Sequence, residues 1–214
     1  SNHITIYEPG LEVIYSRNFK NGRLRFTDDL KAAALSSDMI FLCLPTPQDE
    51  DGSADLSHVM NITGKLGDIL CQIDDFKLII NKSTAPVGTG EKIFGILTAK
   101  GIKNFAVASN PEFLREGFAV EDFMKPDRIV IGSDSDKALK MLRDLYEPFV
   151  ALGNSIIEMD IRSAEVTKYA ANSFLATKIT FMNDLANFCE KAEADIDLVR
   201  LGMGSDTRIG HKFL

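Results

Sequence analysis

Between residues 24 and 157, short apolar runs alternate with stretches of helical amphipathic pattern, and no other feature of this chain limits its fold so strongly. A parallel strand must be followed by a crossover long enough to return the chain, and a strand covered by helices on both faces is apolar throughout. The runs have that character at their centres, as in Leu78-Ile79-Ile80 between Lys77 and Asn81. Strands are therefore predicted at 24–27, 39–44, 77–81, 105–108, 128–131 and 155–159, with helices at 29–36, 56–72, 90–100, 119–124 and 135–151. The fold class is α/β, a parallel sheet wound on both faces.

After Asp160 the pattern becomes one long helix, 163 to about 194, rich in Ala and free of Gly and Pro. A second domain is expected there, which divides the chain into 1–160 and 161–214. Ser163 and the early Glu165 suit a helix start through capping and the helix dipole. Residues 195–199 are expected to form a short helix and 202–210 a loop.

A net charge of −7 argues against a nucleic-acid surface, whose affinity comes from clustered Lys and Arg. No run approaches the roughly 20 apolar residues of a membrane helix, so the chain is read as cytoplasmic with no membrane partner. Cys43, Cys71 and Cys189 are widely spaced and odd in number, and are expected to be reduced, buried thiols rather than disulfides or metal ligands.

Ligands of open α/β sheets bind beyond the carboxyl ends of the strands. Three loops there carry hydroxyls, amides or carboxylates: Leu44-Pro45-Thr46-Pro47; Lys82-Ser83-Thr84-Ala85 running on to Gly88-Thr89; and Ser109-Asn110-Pro111-Glu112-Phe113. Gly88 and Thr89 can open a helix whose free amides attract phosphate or developing negative charge. Pro- and Gly-rich loops also simply turn the chain, and the functional reading rests on all three meeting at one edge. Glu112 and Glu116 flank Arg115; they read either as proton acceptors near a hydride transfer or as a solvated acidic pair. Lys168 and Asn172, one helical turn apart, share a face with Leu175, Ile179 and Met182. They read as two donors for an oxyanion, or as a surface lysine whose stem covers apolar side chains.

The segments Tyr7-Glu8-Pro9-Gly10-Leu11, 82–89, Ser-Asn-Pro-Glu-Phe-Leu-Arg-Glu-Gly at 109–117, Pro-Asp-Arg-Ile-Val-Ile-Gly at 126–132, 168–175 and 204–214 together resemble the UDP-glucose and GDP-mannose dehydrogenase family, its UDP-glucose branch more than the others. The resemblance runs in register from Ile4 to Leu214. It implies a Rossmann-like NAD-binding domain followed by a helical domain that dimerises through its long helix. It also implies two NAD-dependent oxidations of a sugar C6 alcohol to a carboxylate, by way of a cysteine thiohemiacetal and thioester. By position, Thr84 would hold a catalytic water, Glu112 would assist proton removal and hydrolysis, and Lys168 with Asn172 would stabilise the oxyanion. Leu44, Pro45, Thr46, Pro47, Ser83, Thr84, Ala85 and Glu116 would lie against NAD. UDP-glucose would meet Glu112, Phe113, Leu114, Arg115, Glu116, Lys168, Asn172 and, across the dimer, Arg208.

Two departures accompany the resemblance. The family's first strand, Gly-x-Gly-x-x-Gly loop and helix would precede Ile4, and its nucleophilic cysteine would follow Leu214. None of Cys43, Cys71 and Cys189 matches that cysteine, so the chain by itself is expected to be inactive. The alternatives are another nucleotide-sugar dehydrogenase, with GDP-mannose as one substrate, and a non-catalytic nucleotide-binding or dimerisation module.

Overall fold

The structure, a computed structural model, describes residues 4–150 and 153–214. The expected helix end at Ala151 lies outside them. The elements run α1 (Leu11–Lys20), α2 (Leu30–Ser36), β1 (Met39–Leu42), α3 (Ser57–Leu70), β2 (Lys77–Asn81), α4 (Thr89–Ala99), β3 (Phe105–Ser109), α5 (Ala119–Met124), β4 (Arg128–Gly132), α6 (Asp136–Val150), β5 (Ser155–Met159), α7 (Ile161–Ala192) and α8 (Ile196–Gly204).

The five strands form one sheet in the order β1-β2-β3-β4-β5. The side chains of β2 and β3 alternate between two cores, as strand geometry requires. Ile79 and Val107 pack with Val59, Leu66 and Leu70 of α3 and Ile93 and Leu97 of α4. Leu78, Ile80, Ala106 and Ala108 face the other way, against Ala138, Leu142 and Tyr146 of α6. With helices on both faces, all five β2 residues are buried, which is why its centre, Leu78 to Ile80, reads as continuously apolar.

The sequence pattern predicts a parallel sheet, but the sheet is mixed. β1, β2 and β3 are parallel, but β4 pairs antiparallel with β3 through Ser109 and Gly132, and β5 runs parallel to β4. The β3–β4 connection contains only the six-residue α5 and does not recross the sheet, so the chain sets off back from the edge where β3 ended. The expected strand at 24–27 is also absent. That stretch pairs with no neighbour, and a strand exists only through its ladder.

The α1 helix escaped the sequence reading because none of its residues is buried; Glu12 in its first turn and Arg17 and Lys20 in its last were the available signal. At α7 the capping residue is Asp160 rather than Ser163: its carboxylate accepts from the Ser163 N–H at 2.9 Å. The expected 195–199 helix extends to Gly204, so 202–204 is helix rather than loop. Cys43 lies just beyond β1 and Cys71 ends α3, and both are exposed; only Cys189 is buried.

The chain forms two compact units, Ser1–Val166 and Thr167–Leu214. In the second, Lys178 Nζ donates to the carbonyls of Ile209 and Lys212 at 3.0 and 2.8 Å, which ties the tail to α7. No helix among the described residues is long and apolar enough to cross a membrane.

Candidate functional site

Because β1, β2 and β3 are parallel, their carboxyl ends open on one edge, and the three loops singled out in the sequence meet there. The backbone amides of Lys82 and Ser83 donate to the Leu42 carbonyl at 3.0 and 3.1 Å. The Leu44 N–H donates to Ser83 Oγ at 2.8 Å, and that hydroxyl faces the Leu44 carbonyl at 2.8 Å. Thr46 Oγ1 donates to the Thr84 carbonyl at 2.6 Å. The loop after β1 is thus laced to the loop after β2 through Leu44, Thr46, Ser83 and Thr84. Pro45 and Pro47 are exposed beside them, while Ala85 is buried beneath.

The third loop joins through Asn110, which is 1% exposed. Its N–H donates to the Asn81 carbonyl at 2.9 Å. Its side-chain oxygen accepts from Lys82 Nζ at 3.1 Å and Tyr146 OH at 2.5 Å, and its amide nitrogen donates to the Val130 carbonyl at 2.9 Å. One side chain therefore connects the loop after β2, β4 and α6. Burial, with a smaller contribution from Cys43, pushes the Tyr146 hydroxyl up to about 12. Although Cys43 is exposed as a residue, partial desolvation of its thiol raises it likewise, against the pull of Lys82.

Beyond Asn110 the chain continues as loop, so Glu112 and Glu116 are not aligned on a helix. Glu112 is half-buried and accepts from the Leu114 N–H at 2.7 Å. Phe113 lies beneath the Arg128 guanidinium, 3.8 Å from its ring centre. Leu114 and Glu116 are exposed. Arg115 is held by Asp122, a partner the sequence reading did not name, through a two-bonded contact at 3.0 and 2.6 Å. Glu8 of the Tyr-Glu-Pro-Gly segment also reaches this loop, accepting from the N–H groups of Gly117 at 3.1 Å and Ala119 at 2.7 Å. A shallow cleft of about 580 Å³ beside Pro9 and α5 contains none of the sequence-predicted site residues.

The α4 N-terminus is not open to an outside anion. Glu165, 3% exposed, accepts from the Gly88 N–H at 2.6 Å and the Gly90 N–H at 2.8 Å. Burial raises its carboxyl above the ordinary carboxylate range, while the two amides pull the other way. The sequence reading assigned Glu165 only to the start of its own helix; its place three residues before Lys168, on the same face, was the available signal. In the second unit, Lys168 is 6% exposed rather than a solvated tip, whereas Asn172 and Arg208 are exposed. Arg208 pairs with Asp206 at 2.6 Å.

The edge carries hydroxyl and backbone groups of Thr46, Ser83 and Thr84, and the nearest helix N-terminus is filled by the protein's own carboxylate.

Comparison with known proteins agrees with the sequence motifs. Residues 1–150 match the NAD binding domain of the UDP-glucose/GDP-mannose dehydrogenase family, and residues 162–214 match its central domain. The chain is 46% identical over 99% of its length to UDP-glucose 6-dehydrogenase TuaD of Bacillus subtilis, covering 45% of that protein. It is 48% identical over 98% of its length to a UDP-glucose 6-dehydrogenase of Pseudomonas aeruginosa, covering 47%. Among solved structures, a UDP-glucose dehydrogenase from the hyperthermophilic archaeon Pyrobaculum islandicum superposes with a TM-score of 0.93 at 40% identity, over 99% of this chain and 49% of that one. The chain spans about half the length of the curated relatives it matches.

Proposed function

The chain belongs to the UDP-glucose/GDP-mannose dehydrogenase family, and from that premise we propose that the protein is a cytoplasmic, NAD-dependent enzyme oxidising the C6 alcohol of UDP-glucose to a carboxylate in two hydride transfers, with a cysteine-bound aldehyde and thioester between them. Its NAD-binding domain is 1–160 and its central helical domain 161–214. The observation that carries the reading is the convergence, at one sheet edge, of the loops that match the family's motifs.

NAD, when bound, supplies the hydride acceptor. The chain's residues supply the following roles. Leu44 to Pro47, Ser83 to Ala85 and Glu116 line the cofactor, and the Thr84 hydroxyl orients a water. Glu112 takes protons as the alcohol is oxidised and later from the water that hydrolyses the thioester. Lys168 and Asn172 donate to the oxyanion, and burial strengthens the Lys168 contribution. Phe113, Leu114, Arg115 and Arg208 hold the sugar nucleotide. None of Cys43, Cys71 and Cys189 matches the family's nucleophile by position; Cys71 ends α3, Cys189 is buried in α7, and partial desolvation raises the Cys43 thiol, which disfavours its thiolate.

The protein is a homodimer through α7, whose Phe174, Phe181 and Phe188 recur every seven residues and are 66%, 53% and 65% exposed. Sedimentation showing a monodisperse monomer at micromolar concentration refutes the dimer.

The activity test is steady-state NADH production by the full-length protein across UDP-glucose, GDP-mannose and UDP-N-acetylmannosamine. Two NADH per UDP-glucose, with far weaker turnover of the others, is expected; preference for another sugar nucleotide overturns the substrate. Lys168→Ala should lower kcat about a hundredfold or more, the usual loss for one oxyanion donor. Asn172→Ala should behave similarly, with the double variant less than additive. Unchanged kcat in Lys168→Ala removes it from the mechanism.

A further inference from the structure

We propose that Glu165 is a positioning residue, whose carboxylate clasps the turn at Gly88 to Gly90 and so fixes the 82–88 loop against the cofactor; this role rests on the dehydrogenase reading above. The first N–H groups of a helix have no acceptor within it and are ordinarily capped by a local Ser, Thr, Asp or Asn. The residue preceding α4 is Gly88, which has no side chain and sits at a φ of 92°. The cap comes instead from 77 residues away, with both oxygens of one carboxylate in use.

Two packing contacts keep the clasp in register, and an exposed ion pair lies beside them. Ile161 lies so close to Gly90 that a Cβ there would sit 2.5 Å from its Cγ2. Arg162 pairs with Glu91 in the same first turn of α4, with Nη2 2.7 Å from the carboxylate. On the far side, a Cβ on Gly132 would lie 2.6 Å from the Ala164 Cβ and 2.7 Å from the Asp160 carbonyl oxygen. The first turn of α7 is thereby lodged between the start of α4 and the end of β4.

Burying a carboxylate costs free energy that a local serine cap would avoid. What the distant carboxylate adds is register between α7 and the loop that carries Ser83, Thr84 and Ala85. The loop root is held by Ser83 and Lys82, and its far end by Glu165. Lys168 follows Glu165 on the same helix by less than one turn.

The test has two arms. In the 214-residue chain, hydrogen exchange of an 82–90 peptide should speed up at least about tenfold in Glu165→Gln, whose amide can accept only one of the two N–H groups. Arg162→Ala, which removes only the exposed ion pair, should leave exchange near wild type. In the full-length enzyme, Glu165→Gln should lower kcat/KM for NAD about tenfold or more, since small misplacements of positioning groups cost rate steeply. The KM for UDP-glucose should stay within about twofold. Glu165→Asp, one methylene shorter, should fall between the two and serves if the Gln variant does not fold.

A lowered melting temperature with wild-type kcat and KM for NAD would make Glu165 purely structural and overturn the proposal. Unchanged exchange would overturn the clasp itself. A wild-type enzyme that makes no NADH would overturn the dehydrogenase reading and the cofactor half of the proposal, while the exchange arm still decides the clasp.

Discussion

The loops after β2 and β3 leave the same sheet edge but are held in opposite ways. The first is fastened by half-buried Ser83 and Lys82 at its root and by buried Glu165 at its far end. The second is fastened by buried Asn110 at its root, and then by Glu8 and Asp122 at the surface, around an exposed stretch from Leu114 to Phe118. Cutting a buried bond leaves a desolvated group behind, whereas an exposed partner is replaced by water. The β2 loop should therefore resist substitution poorly and salt well, and the β3 loop the reverse.

The largest effect should come where both loops are rooted. Asn110→Leu takes an acceptor from Lys82 and Tyr146 and a donor from the Val130 carbonyl, so it should destabilise the chain by about 3 kcal/mol or more in urea unfolding. A loss below about 1 kcal/mol would show that water replaces the network, and the contrast between the loops would fail.

The same network should show itself in alkali. The Tyr146 hydroxyl titrates near 12 in the folded chain, and at its ordinary value of about 10 once unfolded. The unfolded state therefore loses the proton first. Stability attributable to this group is complete below about pH 10 and falls as pH rises toward 12, by about 2 to 3 kcal/mol. Tyr146→Phe should flatten that part of the stability profile; an unaltered slope would exclude Tyr146 as its source.

Gly90→Ala probes the far end of the β2 loop. Its new methyl meets Ile161, so a cost of about 1 to 3 kcal/mol is expected from overpacking. A neutral substitution would mean that α7 shifts freely there.

Arg115→Ala tests the exposed side of the comparison and should do least. Its pair with Asp122 is 44% exposed on the arginine side. The melting temperature should move by no more than a degree or two, and the difference should vanish in high salt. A larger loss, insensitive to salt, would place this loop in the same class as its neighbour.

The centre of the run 77–81, Leu78 to Ile80, is continuously apolar because each of its residues is covered from one face or the other, and the strand could be read from that alone. So could the convergence of 44–47, 82–89 and 109–113, since parallel strands deliver their carboxyl ends together. Three corrections share one cause. Residues 24–27 have a strand's composition without a ladder partner, β4 reverses because α5 does not recross the sheet, and the amides opening α4 are taken by a glutamate remote in sequence. Local pattern records what a segment can bury and how its backbone can turn, and this determined the strands, most of the helices and the motif loops. Which distant group meets a given amide, strand edge or buried oxygen depends on segments separated by tens of residues. Pairing of that kind leaves no period in the sequence, so the Asn110 junction and the Glu165 clasp were decided only by the tertiary structure.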